Sequence, residues 1–136
     1  MKKLTIISIL SLAALLTGCS KDAEVNAFIA ELDSATNEIV AKIDANPSSA
    51  GIEDAQKAFD ARKPELTAKW NEIKDAVGAQ VSAETKKKLE ESVANNMKAL
   101  TEASMRNMMN MAADKEASVK YRRLLEDYSR TFTVAG

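Results

Sequence analysis

The chain has 136 residues, a formal net charge of −1, one cysteine and no histidine. This length suits one domain, and the missing histidine removes the commonest general base and the commonest metal ligand of proteins. With a single cysteine, an internal disulfide and Cys–His zinc or nucleophile sites are excluded. The slightly acidic balance argues against a nucleic-acid partner.

The N-terminus carries a positive pair, Lys2-Lys3, followed by an apolar run over residues 4–16. The run has 13 residues, whereas an α-helix needs roughly 20 to cross a bilayer core. This pattern predicts a processing segment and not a membrane span. The run closes on Leu16-Thr17-Gly18-Cys19, which resembles the lipobox of bacterial lipoproteins.

The resemblance implies that residues 1–18 are a cleaved signal peptide and that Cys19 becomes the lipid-bearing N-terminus of a domain spanning residues 19–136. Acyl chains would hold this domain on a membrane. Ser20, and not Asp, follows the cysteine, which in Gram-negative members of the class goes with delivery to the outer membrane, facing the periplasm. An ordinary secretory signal with a chance cysteine is the alternative.

The remaining chain is poor in glycine and proline and rich in helix-favouring residues. Turn-forming clusters at residues 46–51 and 78–82 divide it into three segments. In the first segment, the apolar residues recur at helical spacing. They are Val25, Phe28, Ile29, Leu32, Ile39, Val40 and Ile43. We expect a helix that begins near Asp22.

The second segment keeps its apolar residues in phase across Pro64. This phase favours one kinked helix over two separate helices. The apolar residues are Ile52, Ala55, Phe59, Leu66, Trp70, Ile73 and Val77.

The third segment begins at Ser82, a suitable N-cap, and meets no glycine or proline before the last residue. Its stripe runs through Leu89, Val93, Met97, Leu100, Ser104, Met108 and Met111. These patterns predict an all-α fold, an antiparallel three-helix bundle with a long C-terminal third helix. That helix either projects beyond its neighbours or bends near residues 112–114 and folds back as a fourth segment.

Apart from the first residue, all methionines lie between positions 97 and 111. Met105, Met108 and Met109 are spaced to converge on one side of a helix, and thioether sulfur suits Cu(I). They form one candidate metal site. The competing interpretation is that methionines of this segment fill the core or form an adaptable contact surface.

A second candidate surface follows near the C-terminus. Tyr121, Leu125, Tyr128 and Phe132 form a stripe spaced by three or four residues, with Arg122, Arg123 and Arg130 beside it. Aromatic residues with arginine are enriched at protein interfaces. The stripe is therefore a candidate surface for a protein partner or for self-association, unless it folds back and joins the core.

Taken with the N-terminal resemblance, these residues predict a lipid-anchored envelope protein that acts by protein–protein binding, as an adaptor or structural lipoprotein. We expect no enzymatic activity and no cofactor, since the chain has no cysteine beyond Cys19 to act as a thiol nucleophile, no histidine base and no glycine-rich phosphate loop. Soft-metal binding by the methionine cluster is the alternative function.

Overall fold

The computed structural model describes residues 20–132, and this part of the chain is helical, with no strand in it. The helices are α1 (Asp22–Ala45), α2 (Ser49–Ile73), α3 (Ala83–Arg106), α4 (Met108–Ala113) and α5 (Lys115–Thr131). The predicted all-α class is confirmed. Within residues 20–132 the structure has five helices where the sequence predicted three, because the third segment breaks twice.

Helices α1 and α2 form an antiparallel hairpin. Arg62 on α2 pairs with Glu38 at 3.3 Å and with Glu31 at 3.5 Å. Lys69, two helical turns later on α2, pairs with Glu31 at 3.7 Å, so the partners on α1 come earlier in the chain as α2 advances. Pro64 lies inside a continuous α2, so the prediction of one helix across the proline is confirmed. Proline has no N–H to donate, and the buried residues Phe59 and Leu66 lie on either side of it in α2.

The turn between α1 and α2 is tight. Ser48 caps α2 by accepting a hydrogen bond from the Gly51 N–H. A Cβ atom on Gly51 would lie 1.7 Å from the carbonyl oxygen of Asn46. The backbone of α2 can therefore cross the end of α1 this closely only with glycine at position 51.

Three aspartates, Asp22, Asp33 and Asp44, join α1 to α3. The Ser82 N–H donates to Asp22 at 2.8 Å, the Asn96 amide donates to Asp33 at 2.7 Å, and the Asn107 amide donates to Asp44 at 2.7 Å. Successive aspartates are 11 residues apart, about three helical turns, so they share one face of α1. Their partners advance along α3 in the same order, which makes α1 and α3 parallel.

The third segment first breaks at Asn107. Its side-chain amide donates both to Asp44 and to the Ala103 carbonyl oxygen, at 2.9 Å for the latter. An asparagine that bonds its own backbone competes with the helical pattern, and α3 ends at Arg106. This break was not predicted from the sequence.

The second break is at Asp114, inside the interval 112–114 where the sequence suggested a bend. Its carboxylate caps α5 by accepting from the Glu116 and Ala117 N–H groups, and it also accepts from the Ser49 N–H at 2.8 Å. These backbone donors, Ser49 first, lower the pKa of Asp114. One carboxylate thus turns the chain and fixes the start of α5 beside the start of α2.

Helix α5 runs parallel to α2 and closes the core. Lys120 pairs with Glu53 at 3.1 Å, and further along the Gln56 amide donates to Asp127 at 3.0 Å. Aromatic rings of α1, α2 and the end of α5 meet in one cluster. Its members are Phe28, Phe59, Trp70, Tyr128 and Phe132.

These pairings define two ends of the molecule. The loop end holds Ser20, the start of α1 and the loop at 74–82 between α2 and α3. Helix α5 ends short of it, where the Phe132 ring lies 5.9 Å from that of Phe28. The α4 end holds the turn at 46–48 and helix α4. Helix α1 packs against α2 and α3, and α2 packs against α5. Helices α3 and α5 meet along a more open seam, which contains two surface depressions.

Candidate functional site: the methionine groove

The fold divides the predicted C-terminal stripe between the core and the surface. Tyr121 and Tyr128 are buried, Leu125 and Phe132 are half-buried, and Arg122 is exposed. The stripe does not project from the bundle, because α5 folds back onto it. Its tyrosines belong to the core, and only part of it is available to a partner.

The buried face of α5 shares Tyr121 and Tyr128 with the predicted stripe but has Leu124 in place of Leu125. Ala117, Tyr121, Leu124 and Tyr128 face the core, and Ala117 and Leu124 are completely buried. Leu125 lies one position further round the helix, at the seam with α3. The predicted stripe included Leu125 and not Leu124, and the location of the neighbouring helices decides which of the two is covered.

Both tyrosine hydroxyls are used inside the molecule. The Tyr121 hydroxyl donates to the Leu100 carbonyl oxygen on α3, and the Tyr128 hydroxyl lies 2.7 Å from that of Thr36 on α1. Burial raises the pKa of Tyr121 to about 12 and that of Tyr128 to about 12. These groups hold α5 in place and carry no charge at neutral pH.

The predicted methionine cluster lies on the surface at the α4 end. Met105, Met108 and Met109 are 68%, 63% and 83% exposed, the largest exposures among the large hydrophobic residues of the described chain. The break at Asn107 separates Met105 on α3 from the other two on α4. Met111 is buried. Met108 therefore lies outside the core stripe to which the packing interpretation assigned it.

The structure joins the two candidate surfaces in one depression, which we call the methionine groove. It lies between α4, the end of α3, and α5, with a volume of about 310 Å³. Its lining is Ser104, Met108, Met111, Ala112, Ser118, Tyr121, Arg122 and Leu125. Met108 from the methionine cluster and Tyr121, Arg122 and Leu125 from the C-terminal stripe thus share one site.

A second depression continues the seam toward the loop end. It has a volume of about 220 Å³ and is lined by Leu32, Val93, Met97, Tyr128, Ser129 and Phe132. The remaining two residues of the predicted stripe, Tyr128 and Phe132, lie here and not in the methionine groove.

The polar edge of the methionine groove is cationic. Arg122 is exposed and pairs with no carboxylate within residues 20–132. By contrast, Arg106 near the same end binds Asp44 at 2.8 Å, and this hydrogen bond lowers the pKa of the Asp44 carboxyl. Arg122 is thus available to an acidic group from outside, whereas Arg106 is occupied.

The groove offers contact surface and not reactive groups. Its lining contains hydroxyls, thioethers and one guanidinium, but no carboxylate. Across residues 20–132, no three His, Cys, Asp or Glu side chains come together as a metal site. The arrangement can cover an apolar segment of a partner and pair one of its carboxylates.

Cys19, the predicted lipidation site, lies outside the described residues. No helix within residues 20–132 is both long enough and apolar enough to cross a membrane. No family model, no curated protein and no solved structure matches this chain.

Proposed function

We propose that this chain is a lipid-anchored protein of the bacterial envelope that binds another protein through the methionine groove and catalyses no reaction. The observation that carries the binding proposal is that the exposed Met108 lines the groove, with Met105 and Met109, close to it in the chain, exposed as well. Methionine is unbranched and polarizable, so exposed methionines adapt to varied apolar partners. Exposed apolar side chains beside a groove mark an interaction surface.

The anchoring proposal rests on the lipobox resemblance at residues 16–19 and on the short distance from Cys19 to the first helix, which begins at Asp22. The expected location is the outer membrane, facing the periplasm. A Cys19→Ala variant should lose labelling by radioactive palmitate and leave the membrane fraction. Equal fractionation of the two proteins, without an acyl mass on the wild-type Cys19 peptide, would overturn the anchoring proposal.

The binding proposal is tested by cross-linking in the cell. A photoreactive amino acid replaces Met108 in the groove, and in a matched protein it replaces Lys87, whose side chain is 74% exposed near the opposite end. We expect a discrete adduct of higher mass from position 108 and none from position 87. The same adducts from both positions, or none from position 108, would contradict a partner at the groove.

A pair of charge-reversal variants distinguishes partner binding at the groove from binding elsewhere on α5. Arg122→Glu changes the groove, while Arg123→Glu makes the same change one residue away, in the depression between α2 and α5. Neither arginine has a carboxylate partner within the described residues, so both variants should fold. The position-108 adduct should weaken with Arg122→Glu and persist with Arg123→Glu.

A soft-metal function is the second candidate, and the exposure of Met105, Met108 and Met109 favours it because their sulfurs are open to solvent. Thioethers prefer Cu(I). Titration with Cu(I) against a competing chelator should then distinguish the wild type from a triple Met→Leu variant, which keeps the apolar bulk. Equal copper retention by both proteins assigns the cluster to packing or protein contact.

A further inference from the structure

The backbone immediately after Cys19 is held by the folded molecule. The Lys21 N–H donates to the Gln80 carbonyl oxygen at 2.9 Å, and the Asp22 carboxylate accepts from the Ser82 N–H at 2.8 Å. The Asp22 N–H in turn donates to the Ser20 hydroxyl at 3.3 Å. Residues 20–22 are therefore attached to the loop at 74–82, and Cys19 has no free linker of its own after it.

This attachment limits how far the loop can be from a lipid on Cys19. Each residue extends the chain by at most ~3.5 Å, so the Cα atom of Cys19 lies within about 7 Å of that of Lys21. Helix α1, with 24 residues, is about 36 Å long at 1.5 Å per residue. The exposed methionines at the α4 end thus lie on the order of 35 Å further from the anchor than the loop does.

The chemistry of the loop fits a lipid headgroup layer. Residues 76–82 carry no charge, and Gly78, Ala79 and Gln80 are exposed. An uncharged segment loses little solvation energy when it approaches the interface. The exposed residues that flank it include two carboxylates, Asp75 and Glu84, and two lysines, Lys74 and Lys86, whose ammonium groups can pair with lipid phosphates.

From this geometry we infer that the loop end is a phospholipid-contacting surface, and that the bundle stands upright on the bilayer with the methionine groove directed away from it. The inference rests on the proposed lipidation of Cys19. Because the N-terminus is short and attached to the loop, the molecule has one orientation on the bilayer and not a range of orientations.

The test places a fluorescent label at each end of the lipidated protein. Gly78→Cys suits the loop end, because no atom lies within 4 Å of a Cβ placed there, and Met109→Cys suits the α4 end, because Met109 is 83% exposed. An acylated Cys19 has no thiol, so a maleimide label reaches only the introduced cysteine. Each labelled protein is purified from membranes and incorporated into vesicles of phosphatidylethanolamine and phosphatidylglycerol that contain headgroup spin-labelled lipid.

We expect strong quenching of the label at position 78 and little at position 109, where the distance from the headgroups exceeds the range of contact quenching. Equal quenching at both positions would mean a bundle lying flat or free to tumble, and stronger quenching at position 109 would mean an inverted one. Either result overturns the inference. Failure of the lipidation proposal is seen separately, because unsubstituted protein would then take up the maleimide at Cys19 and lack the acyl mass.

Discussion

The hydroxyl of Thr36 on α1 and the hydroxyl of Tyr128 on α5 lie 2.7 Å apart inside the core, where Thr36 is completely buried. The Thr36 hydroxyl also donates to the Leu32 carbonyl oxygen at 2.9 Å. Since Thr36 has only one hydroxyl proton, Tyr128 is then the donor to Thr36. This bond joins two residues 92 positions apart in the chain.

The two partners of this bond should respond unequally to substitution. Tyr128→Phe leaves Thr36 bonded to Leu32 and should cost about 0.5–1.5 kcal/mol. Thr36→Val leaves the buried Tyr128 hydroxyl without a partner and should cost about 1–3 kcal/mol. Urea unfolding of both variants and of the double variant measures the difference. If Tyr128→Phe proves the costlier single change, the assignment of the donor is wrong.

The glycines at positions 51 and 78 should respond in opposite ways to alanine. Gly51→Ala places a methyl group 1.7 Å from the Asn46 carbonyl oxygen, so the turn must shift, at a cost of about 1–3 kcal/mol. At Gly78 the space is open, and alanine there should change the free energy of unfolding by less than about 1 kcal/mol. Thermal unfolding of the two variants compares them. Equal melting temperatures would show that the α1–α2 turn adjusts without strain.

Both tyrosine hydroxyls should ionise at a higher pH than that of an exposed tyrosine. Burial raises their pKa values from 10.0 to about 12, and the chain has no other tyrosine. Because the folded pKa exceeds the unfolded one, the stabilising contribution of the neutral phenols is complete below pH 10 and is lost as pH rises toward 12. The phenolate absorbance of the folded protein should therefore stay low at pH 10, while the melting temperature falls between pH 10 and 12. A normal phenolate titration centred at pH 10 in folded protein would contradict the burial of these rings.

Removal of α5 should unfold the bundle. A chain ending at Ala113 lacks Leu124, which is completely buried, and also Tyr121 and Tyr128. Loss of one buried leucine side chain alone costs about 2–5 kcal/mol, against a total stability of about 5–15 kcal/mol for a typical domain. Circular dichroism should show loss of the cooperative thermal transition.

The matched control for this truncation ends at Phe132 and keeps every described helix. It should unfold cooperatively, near the temperature of the full chain. A folded, cooperative protein ending at Ala113 would mean that α1, α2 and α3 form an independent core, as in the predicted three-helix bundle.

The helical class, the start of α1 at Asp22 and the start of α3 after Ser82 could be predicted from sequence because the signals were local. The i, i+3, i+4 spacing from Val25 to Ile43 and the cap at Ser82 each depend on residues close in the chain. Asp114 is similar, since it caps the helix that follows it. The structure matches these starts, whereas α2 begins at Ser49, inside the predicted turn of residues 46–51, and ends at Ile73, before Val77 of the predicted stripe.

The location of the α5 core face depended on long-range packing and could not be predicted in the same way. Leu124 and Leu125 are equally apolar, and only the positions of α1, α2 and α3 bury the first and leave the second at the seam. The 11-residue spacing of Asp22, Asp33 and Asp44 was a readable signal that periodicity of apolar residues alone misses. It marks the α1 face that accepts hydrogen bonds from the Ser82 N–H and from the side-chain amides of Asn96 and Asn107.

The ring of Phe132 lies 5.9 Å from that of Phe28, six residues after Asp22, the first residue of α1, and this contact has a practical consequence. A flexible linker long enough to run beside the first two turns of α1 can join the two ends of the described chain, so a circular permutant can be opened at the turn of residues 46–48. Such a protein keeps every helix but begins at the α4 end. Fused behind the same lipoprotein signal, it would stand inverted, with the methionine groove facing the bilayer. It would thus separate the effect of orientation from the effect of sequence on partner capture.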